Sequence, residues 1–333
     1  MTDKALTQVS SNEPGLRRHR HGEGFRYLDA EGRPVSAADR ERIDALAIPP
    51  AWTHVWICPD PSGHLQATGV DDKGRKQYIY HDEWRDSQDS AKFTRLEAFG
   101  QALPGLREAL QADLSRPGLG RDKVVAAIVR IMERTFVRIG SKRYADDNGS
   151  YGVATIKDDH VDVTSRSLRL SFPGKGGKEH EVTLDDPRVA AVVKACQELP
   201  GERLFEYRDA EGAVREVGSA DINRYLRETM DGPFSAKDFR TWAATTLMLD
   251  RLLDRDPPDD EKEGMAVVRE ALDEVADELE HTPAVCKKSY IHPVVPAAYL
   301  DGSLWERVKE APAVPGLWPE ERKTLALMAS YAR

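Results

Sequence analysis

The sequence predicts an α+β protein with a small β-rich N-terminal domain and a larger, mostly α-helical domain containing a small antiparallel sheet. Three observations predict it. Short strand-like runs between turn signals fill residues 15–90. Apolar residues at three- and four-residue spacing dominate residues 91–333. A glycine-rich turn around Lys175 joins two strand-like runs inside that helical region.

Residues 1–14 are expected to form a disordered tail. Strands are expected at Gly24–Leu28, Thr53–Cys58, His64–Thr68 and Gln77–Tyr80. Turn residues separate them at Asp29–Gly32, Pro59–Gly63 and Asp71–Gly74. One short helix fits Ala37–Ala47, ahead of Pro49 and Pro50. In the last strand Lys76, Tyr78 and Tyr80 share one face, while Gln77 and Ile79 take the other. A basic and aromatic face suits phosphate and base-edge contact in a groove. A solvated turn followed by a packed tyrosine pair is the commoner use of such residues.

From residue 91 the pattern turns helical, with helices expected at Phe93–Ala102, Gly105–Leu114 and Lys123–Ile139. In the third, Arg130, Arg134 and Arg138 fall at i, i+4 and i+8 and form one basic stripe, with Gly140 as the stop. The next segment carries Arg138, Ser141, Arg143 and Tyr144. Strands follow at Val153–Ile156 and Val161–Val163, then a hairpin of Leu168–Phe172 and His180–Leu184 with Lys175 at its tip. Lys175 does not belong to a phosphate-binding P-loop, because Gly176 rather than Ser or Thr follows it.

Helices resume at Pro187–Gln197 and Ser219–Met230. Ser235 and Asp238 form a capping-box pattern, so another helix starts there with Lys237 and Arg240 on one face of its first turns. The free N–H groups of that terminus add to a field suited to phosphate. An acidic helix spans about 261–280 and ends at His281. Thr282 is a suitable N-cap and Pro283 a suitable first residue for the next helix, with Tyr290 two turns on and Pro293 as the stop. Asp277, Glu278, Glu280 and the helix C-terminus are expected to keep His281 protonated. One or two amphipathic helices are expected in 303–333.

The 333 residues carry 48 Lys+Arg and 57 Asp+Glu, a formal net charge of -9. Residues 250–280 hold 13 acids and 4 bases, so one segment carries the whole imbalance. Global charge is therefore a poor guide, and an acidic segment in a DNA-binding protein is expected to face away from phosphates. No apolar run approaches the roughly 18 residues of a membrane span. The N-terminus lacks the apolar core of a secretory signal. Three dispersed cysteines, Cys58, Cys196 and Cys286, fit a reducing compartment and no structural zinc site.

Arg138, Lys175, Arg240, His281 and Tyr290 make one hydroxyl nucleophile and four cationic or potentially cationic groups. That set suits attack on a phosphodiester without a metal, since two arginines and a histidine can bind the nonbridging oxygens. Free tyrosine ionises near ~10, and neighbouring cations favour the phenolate. Lys175 is the natural candidate to protonate the leaving ribose oxygen. A covalent phosphotyrosine conserves the bond energy, so religation needs no ATP. No cofactor is expected.

Arg138 in Val-Arg-Ile-Gly, Lys175 in Pro-Gly-Lys-Gly, Arg240 in Lys-Asp-Phe-Arg-Thr and the nine-residue step from His281 to Tyr290 resemble, in order, the motifs of type IB DNA topoisomerases of the compact, poxvirus-like group that also occurs in bacteria. Gly74-Arg-Lys-Gln-Tyr resembles that family's N-terminal segment, where Gln77, Tyr78 and Tyr80 fall on DNA-contacting positions. Lys237 and Tyr144 match further phosphate-contacting positions, and Lys76, Ser141 and Arg143 complete the expected DNA-binding set. Gly176-Gly177 stands where Asp-Lys often follows the lysine, and Ser141 takes a commonly basic position. The resemblance spans roughly residues 15–310. It implies a clamp around duplex DNA, a tyrosine-recombinase-like catalytic domain, a 3′-phosphotyrosyl intermediate and relaxation of supercoils of either sign. It also implies a monomer acting in the cytoplasm on the nucleoid. The rival is a tyrosine site-specific recombinase. Those enzymes usually carry His where Lys237 stands, and their N-terminal domain is typically helical.

Overall fold

The computed structural model describes residues 6–331, and the side chains of all of these except 86–91. The chain divides into two compact units, Met1–Lys92 and Phe93–Arg333. The whole is α+β, as its periodicities predict.

The first unit is a five-stranded antiparallel sheet in the order β2-β1-β3-β4-β5, built from β1 (Leu16–His21), β2 (Gly24–Leu28), β3 (Thr53–Ile57), β4 (Leu65–Val70) and β5 (Lys76–Tyr80). Helix α1 (Ala37–Ala45) follows β2, with Ser36 as its N-cap. Leu16, Ile57, Ala67 and Ile79 share one face of the sheet and pack with Ile43 of α1. Arg17, Trp56, Thr68 and Tyr78 share the other. Strand β1 has no counterpart among the expected strands, because Arg17-Arg18-His19-Arg20-His21 shows no apolar alternation. Arg18 faces inward through its stem, lies 4.2 Å over the Phe25 ring, and donates to the carbonyls of Ile48, Pro49 and Trp52. Within the stretch read as a tail, residues 6–14 lie along the sheet. Thr7 exchanges backbone bonds with Ser62 and His64, and the Trp56 indole donates to the Glu13 carbonyl. Residues 1–5 lie outside the described part.

The second unit opens with α2 (Asp82–Leu114), which begins in the first. Two helices were expected here, but one runs unbroken through Pro104. Leu96, Phe99, Leu103, Leu106 and Leu110 keep a continuous three- and four-residue stripe across the proline, and the whole stripe is buried. Burial of five large side chains outweighs one lost backbone bond, which costs about 3 kcal/mol. Helix α3 (Arg121–Thr135) is buried on nearly every side and is the centre of the unit. It ends four residues earlier than expected, at Thr135 rather than Ile139. Phe136 takes the left-handed conformation, φ 56, and closes the helix by donating to the Met132 carbonyl. Arg138 therefore leaves the basic stripe, and Gly140 is not the stop.

Helix α4 (Lys142–Asn148) follows, capped by Ser141 and closed by Gly149. The expected strand Val153–Ile156 is instead a turn. Its N–H groups at Val153 and Ala154 donate to the carbonyls of Arg138 and Ile139, and Thr155 closes back onto Gly152. A Cβ at Gly152 would sit 2.4 Å from the Arg138 carbonyl, so only glycine admits this approach. The hairpin forms as read, within a sheet β6-β7-β8 of Val161–Val163, Ser167–Pro173 and Glu179–Asp185. A short two-stranded ribbon, β9 (Glu206–Arg208) and β10 (Val214–Glu216), lies between α5 (Pro187–Gln197) and α6 (Ser219–Thr229). Then come α7 (Ala236–Leu253), α8 (Glu261–Glu278), α9 (Pro283–Ser289), α10 (Val294–Leu300), α11 (Leu304–Val308) and α12 (Pro319–Tyr331). Among the described residues no helix is long and apolar enough to cross a membrane.

A buried ion network ties the helices together. Arg107 of α2 pairs with Glu133 of α3 at 2.6 Å and with Glu321 of α12 at 2.7 Å. Trp242 of α7 donates its indole N–H to Glu321 at 3.0 Å. Breaking a buried pair from one side leaves an uncompensated charge, so Glu321→Ala is expected to destabilise the second unit by about 3–5 kcal/mol, read as a lower urea midpoint. A change below about 1 kcal/mol would show that the network contributes little.

Candidate active site

The C-termini of α3 and α8 converge on one arginine. Helix ends leave carbonyls without intrahelical partners, and these carry the negative end of the helix dipole. Arg240 donates one guanidinium nitrogen to the Phe136 carbonyl, at the end of α3, and another to the Leu279 carbonyl, at the end of α8. It reaches them because Ser235 and Asp238 start α7 in the expected register. The Asp238 carboxylate accepts from the Ser235 N–H and hydroxyl, at 2.8 and 2.9 Å, and Arg95 braces it at 3.0 Å. Arg240 is buried, 6% exposed. Burial, then the neighbouring Arg138, lowers its pKa to about 10, so it stays charged at neutral pH.

Arg138 arrives on the extended segment after α3, held there by the turn at Gly152. It donates to the Glu280 carbonyl at 3.1 Å. Among the described residues neither Arg138 nor Arg240 forms an ion pair with a carboxylate, so both cations remain available to an anion.

The end of α8 is a Schellman closure. The His281 N–H donates to Ala276 and the Glu280 N–H to Asp277, at 2.8 and 3.0 Å. Glu280 takes the left-handed position, φ 51, that glycine usually fills. The closure turns His281 inward, between the arginines. Its Nε2 lies 2.9 Å from Arg240 and its Nδ1 3.4 Å from Arg138. A guanidinium cannot accept, so the shorter contact makes Nε2 the acceptor and leaves the imidazole proton on Nδ1.

This geometry overturns the expected protonated His281. Glu278 is drawn off to Arg251 at 3.0 Å, and the Glu280 carboxylate turns to His180. Burial, followed by Arg240, Arg138 and Lys175, lowers the His281 pKa from 6.5 to about 3, so the imidazole is neutral.

Thr282 and Pro283 start α9 as read, and Tyr290 is its C-cap rather than an interior residue, three positions before Pro293. Thr245 of α7 donates to the Tyr290 carbonyl and accepts the His292 N–H, both at 3.1 Å. The Tyr290 ring stacks on His281 with centroids 4.3 Å apart, and Arg240 lies 5.9 Å from its centre. Among the described residues no hydrogen bond engages the Tyr290 hydroxyl. Cys286, one turn earlier, is fully buried, and burial raises its thiol pKa to about 11, so it stays a thiol at neutral pH.

A cleft of about 390 Å³ opens over this group, lined by Arg138, Lys175, Arg240 and Tyr290 together with Ser141, Tyr144 and Lys237. A larger hollow of about 600 Å³ lies against α11 and α12 and holds none of these residues. Of the expected DNA-binding residues in this unit, Arg143 alone is absent from the cleft walls; it sits on the exposed side of α4, 3.5 Å from Asp147. In the first unit, Lys76, Tyr78 and Tyr80 share one face, with the two tyrosine rings stacked at 6.1 Å and Lys76 5.6 Å from the Tyr78 ring centre. Gln77 points to the other side and donates to Asp71 at 2.9 Å. Residues not anticipated from sequence also shape the site: Tyr151 and Ser150 line the cleft, and Thr245 and His180 hold its parts, His180 by meeting the Glu280 carboxylate expected to serve His281.

Residues 81–299 match the family model described as the catalytic core of eukaryotic DNA topoisomerase I, and residues 24–71 match the N-terminal domain of bacterial DNA topoisomerase IB. The chain is 33% identical over 285 residues to a DNA topoisomerase 1B of Acanthamoeba polyphaga mimivirus, covering 83% of this chain and 85% of that protein. It is 20% identical over 232 residues to the DNA topoisomerase 1B of vaccinia virus (strain Copenhagen), 67% of this chain and 68% of the viral protein. A DNA topoisomerase 1 of Mycosarcoma maydis shares 21% identity over 193 residues, 52% of this chain and 19% of that protein. Two family models in sequence order, and a relative of this similarity along most of both chains, place the chain among the type IB DNA topoisomerases, enzymes that act on DNA.

Proposed function

We propose that this enzyme nicks one strand of duplex DNA through Tyr290, holds the break as a 3′-phosphotyrosyl ester, lets the helix rotate and reseals it. The observation that carries the reading is the stack of Tyr290 on His281 beside two arginines that, among the described residues, form no ion pair with a carboxylate. The bond from Tyr290 Oη to phosphorus forms as the bond from phosphorus to the 5′ oxygen breaks. The phenol proton leaves to solvent in the open cleft, and Lys175 supplies a proton to the departing 5′ oxygen. Resealing reverses each transfer, so positive and negative supercoils relax without ATP. Arg138 and Arg240 bind the nonbridging oxygens, the role a divalent cation plays elsewhere.

His281 is neutral before DNA enters. The scissile phosphate adds negative charge between the arginines and raises its proton affinity, so the imidazole then donates to a nonbridging oxygen. Residues 15–90 form the DNA-clamping domain and residues 91–333 the catalytic domain of a monomer acting in the cytoplasm on the nucleoid. Lys76, Gln77, Tyr78 and Tyr80 contact DNA from the first. Ser141, Arg143, Tyr144 and Lys237 do so from the second.

Tyr290→Phe is expected to abolish plasmid relaxation while DNA affinity stays near the parent's; relaxation near the parent rate removes Tyr290 as nucleophile. Lys175→Ala should slow cleavage by about 10²–10⁴-fold on ordinary DNA, and far less on DNA whose scissile 5′ oxygen is replaced by sulfur. Equal defects on both substrates contradict proton donation. Relaxation should persist in EDTA and without ATP, and loss in either condition contradicts the chemistry.

The pH dependence of stability follows from the neutral His281. Its folded pKa, about 3, lies below its ordinary 6.5. The unfolded chain therefore takes up a proton first as pH falls, and stability is lost from pH 6.5 toward 3. His281→Asn should flatten the fall of the urea midpoint across that window; an unchanged slope would show that His281 titrates normally.

A further inference from the structure

The hairpin that carries Lys175 is exposed at its tip, with Gly176 and Gly177 both at positive φ, 82 and 76. Such a tip does not aim a lysine by itself. Its base, however, is fixed by a contact that the cleft chemistry does not use. His180, five residues after Lys175, is buried and stacked against Phe172 of the opposite strand, with centroids 5.2 Å apart and planes 12° apart. Its Nε2 lies 2.6 Å from a carboxylate oxygen of Glu280, although off the line of an ideal hydrogen bond.

Three further observations give this contact a purpose. The first is Gly174, next to Lys175. A Cβ there would meet the His180 ring at 1.9 Å, so the ring occupies the space a side chain would fill. The second is the backbone of Glu280. At φ 51 a side chain crowds the backbone, and glycine is the usual residue at this C′ position. The third is what Glu280 joins. Its carbonyl holds Arg138, its carboxylate meets His180, and its chain neighbour is His281. One residue thus connects the Lys175 hairpin to the arginines and to the segment leading to Tyr290.

We propose that His180 and Glu280 are positioning residues that fix the Lys175 hairpin against the phosphate-binding centre, so that Lys175 meets the leaving 5′ oxygen. This rests on the proton-donor role given above to Lys175, and neither residue touches the DNA itself. Breaking the link should therefore leave DNA binding and the Tyr290 attack intact and impair only protonation of the leaving group.

The test is single-turnover cleavage by full-length enzyme on two duplexes, one with the natural 5′ oxygen and one with sulfur at the scissile position. Glu280→Gly breaks the link at a position whose backbone conformation suits glycine, so the fold is not strained. Gly174→Ala breaks it from the hairpin side by displacing the His180 ring. Both should cleave oxygen-linked DNA at least about tenfold more slowly, stay within about threefold of the parent on sulfur-linked DNA, and bind DNA equally well. His180→Gln, which keeps a donor near Nε2, should retain most of the oxygen-linked rate. Equal losses on the two substrates in both variants, or no loss on either, overturn the proposal. Lys175→Ala is run alongside. If it too loses equally on both, the donor role of Lys175 has failed. If it discriminates and the link variants do not, only the positioning role has failed.

Discussion

The site depends on one buried cation that, among the described residues, forms no ion pair with a carboxylate. Arg240 would be costly in the interior if nothing met its five N–H groups. The chain meets its two terminal nitrogens with the ends of two helices and the His281 ring, and leaves Nε without a partner among the described residues. The carbonyls of Phe136 and Leu279 are orphans of helix termination, and each carries a share of helix dipole. They satisfy hydrogen bonds and lower the local potential without carrying a full negative charge. A carboxylate would have done both more strongly and would also have repelled a phosphate. Burial, and the Arg138 cation beside it, lower the Arg240 pKa to about 10, which still leaves the group charged.

That choice fixes much of the surrounding backbone. α3 must end at Thr135 so that Phe136 can turn its carbonyl inward, and the chain must then run extended to bring Arg138 alongside. α8 must end at Leu279, and its Schellman closure then directs His281 between the two guanidiniums. α7 must start at Ser235 to present Arg240 to both helix ends, and its Thr245 fixes the Tyr290 carbonyl. The Arg107, Glu133 and Glu321 network lies behind the same elements and joins α2, α3 and α12, with Trp242 of α7 bound to Glu321.

How much of this was legible in the sequence depends on whether a residue's role is local. The capping box at Ser235, the N-cap at Thr282 and the glycine-rich turn at Lys175 are written in adjacent residues, and each forms as read. Roles set by distant contacts were not legible. Arg138 fits a helical stripe by spacing, and what removes it is the turn at Gly152, whose N–H groups take the carbonyls of Arg138 and Ile139. Pro104 reads as a break, but the buried stripe from Leu96 to Leu110 carries the helix through. His281 follows three acids in sequence, yet Arg251 and His180 draw off the nearest ones and the arginines surround the ring. Charge along the chain predicted the wrong protonation state, because the charges that matter come from other elements. Strand β1 was hidden for a related reason, since Arg18 faces inward on the strength of its stem and three carbonyls.

The central claim is that this cationic centre delivers Tyr290 to a backbone phosphate. Its most direct measurement is mass spectrometry of peptides from the covalent enzyme–DNA adduct trapped with denaturant on duplex DNA. The account predicts the adduct on the peptide containing Tyr290, joined to a 3′-phosphate, with a free 5′-hydroxyl on the other DNA end. An adduct on another residue, or one joined to a 5′-phosphate, would contradict it.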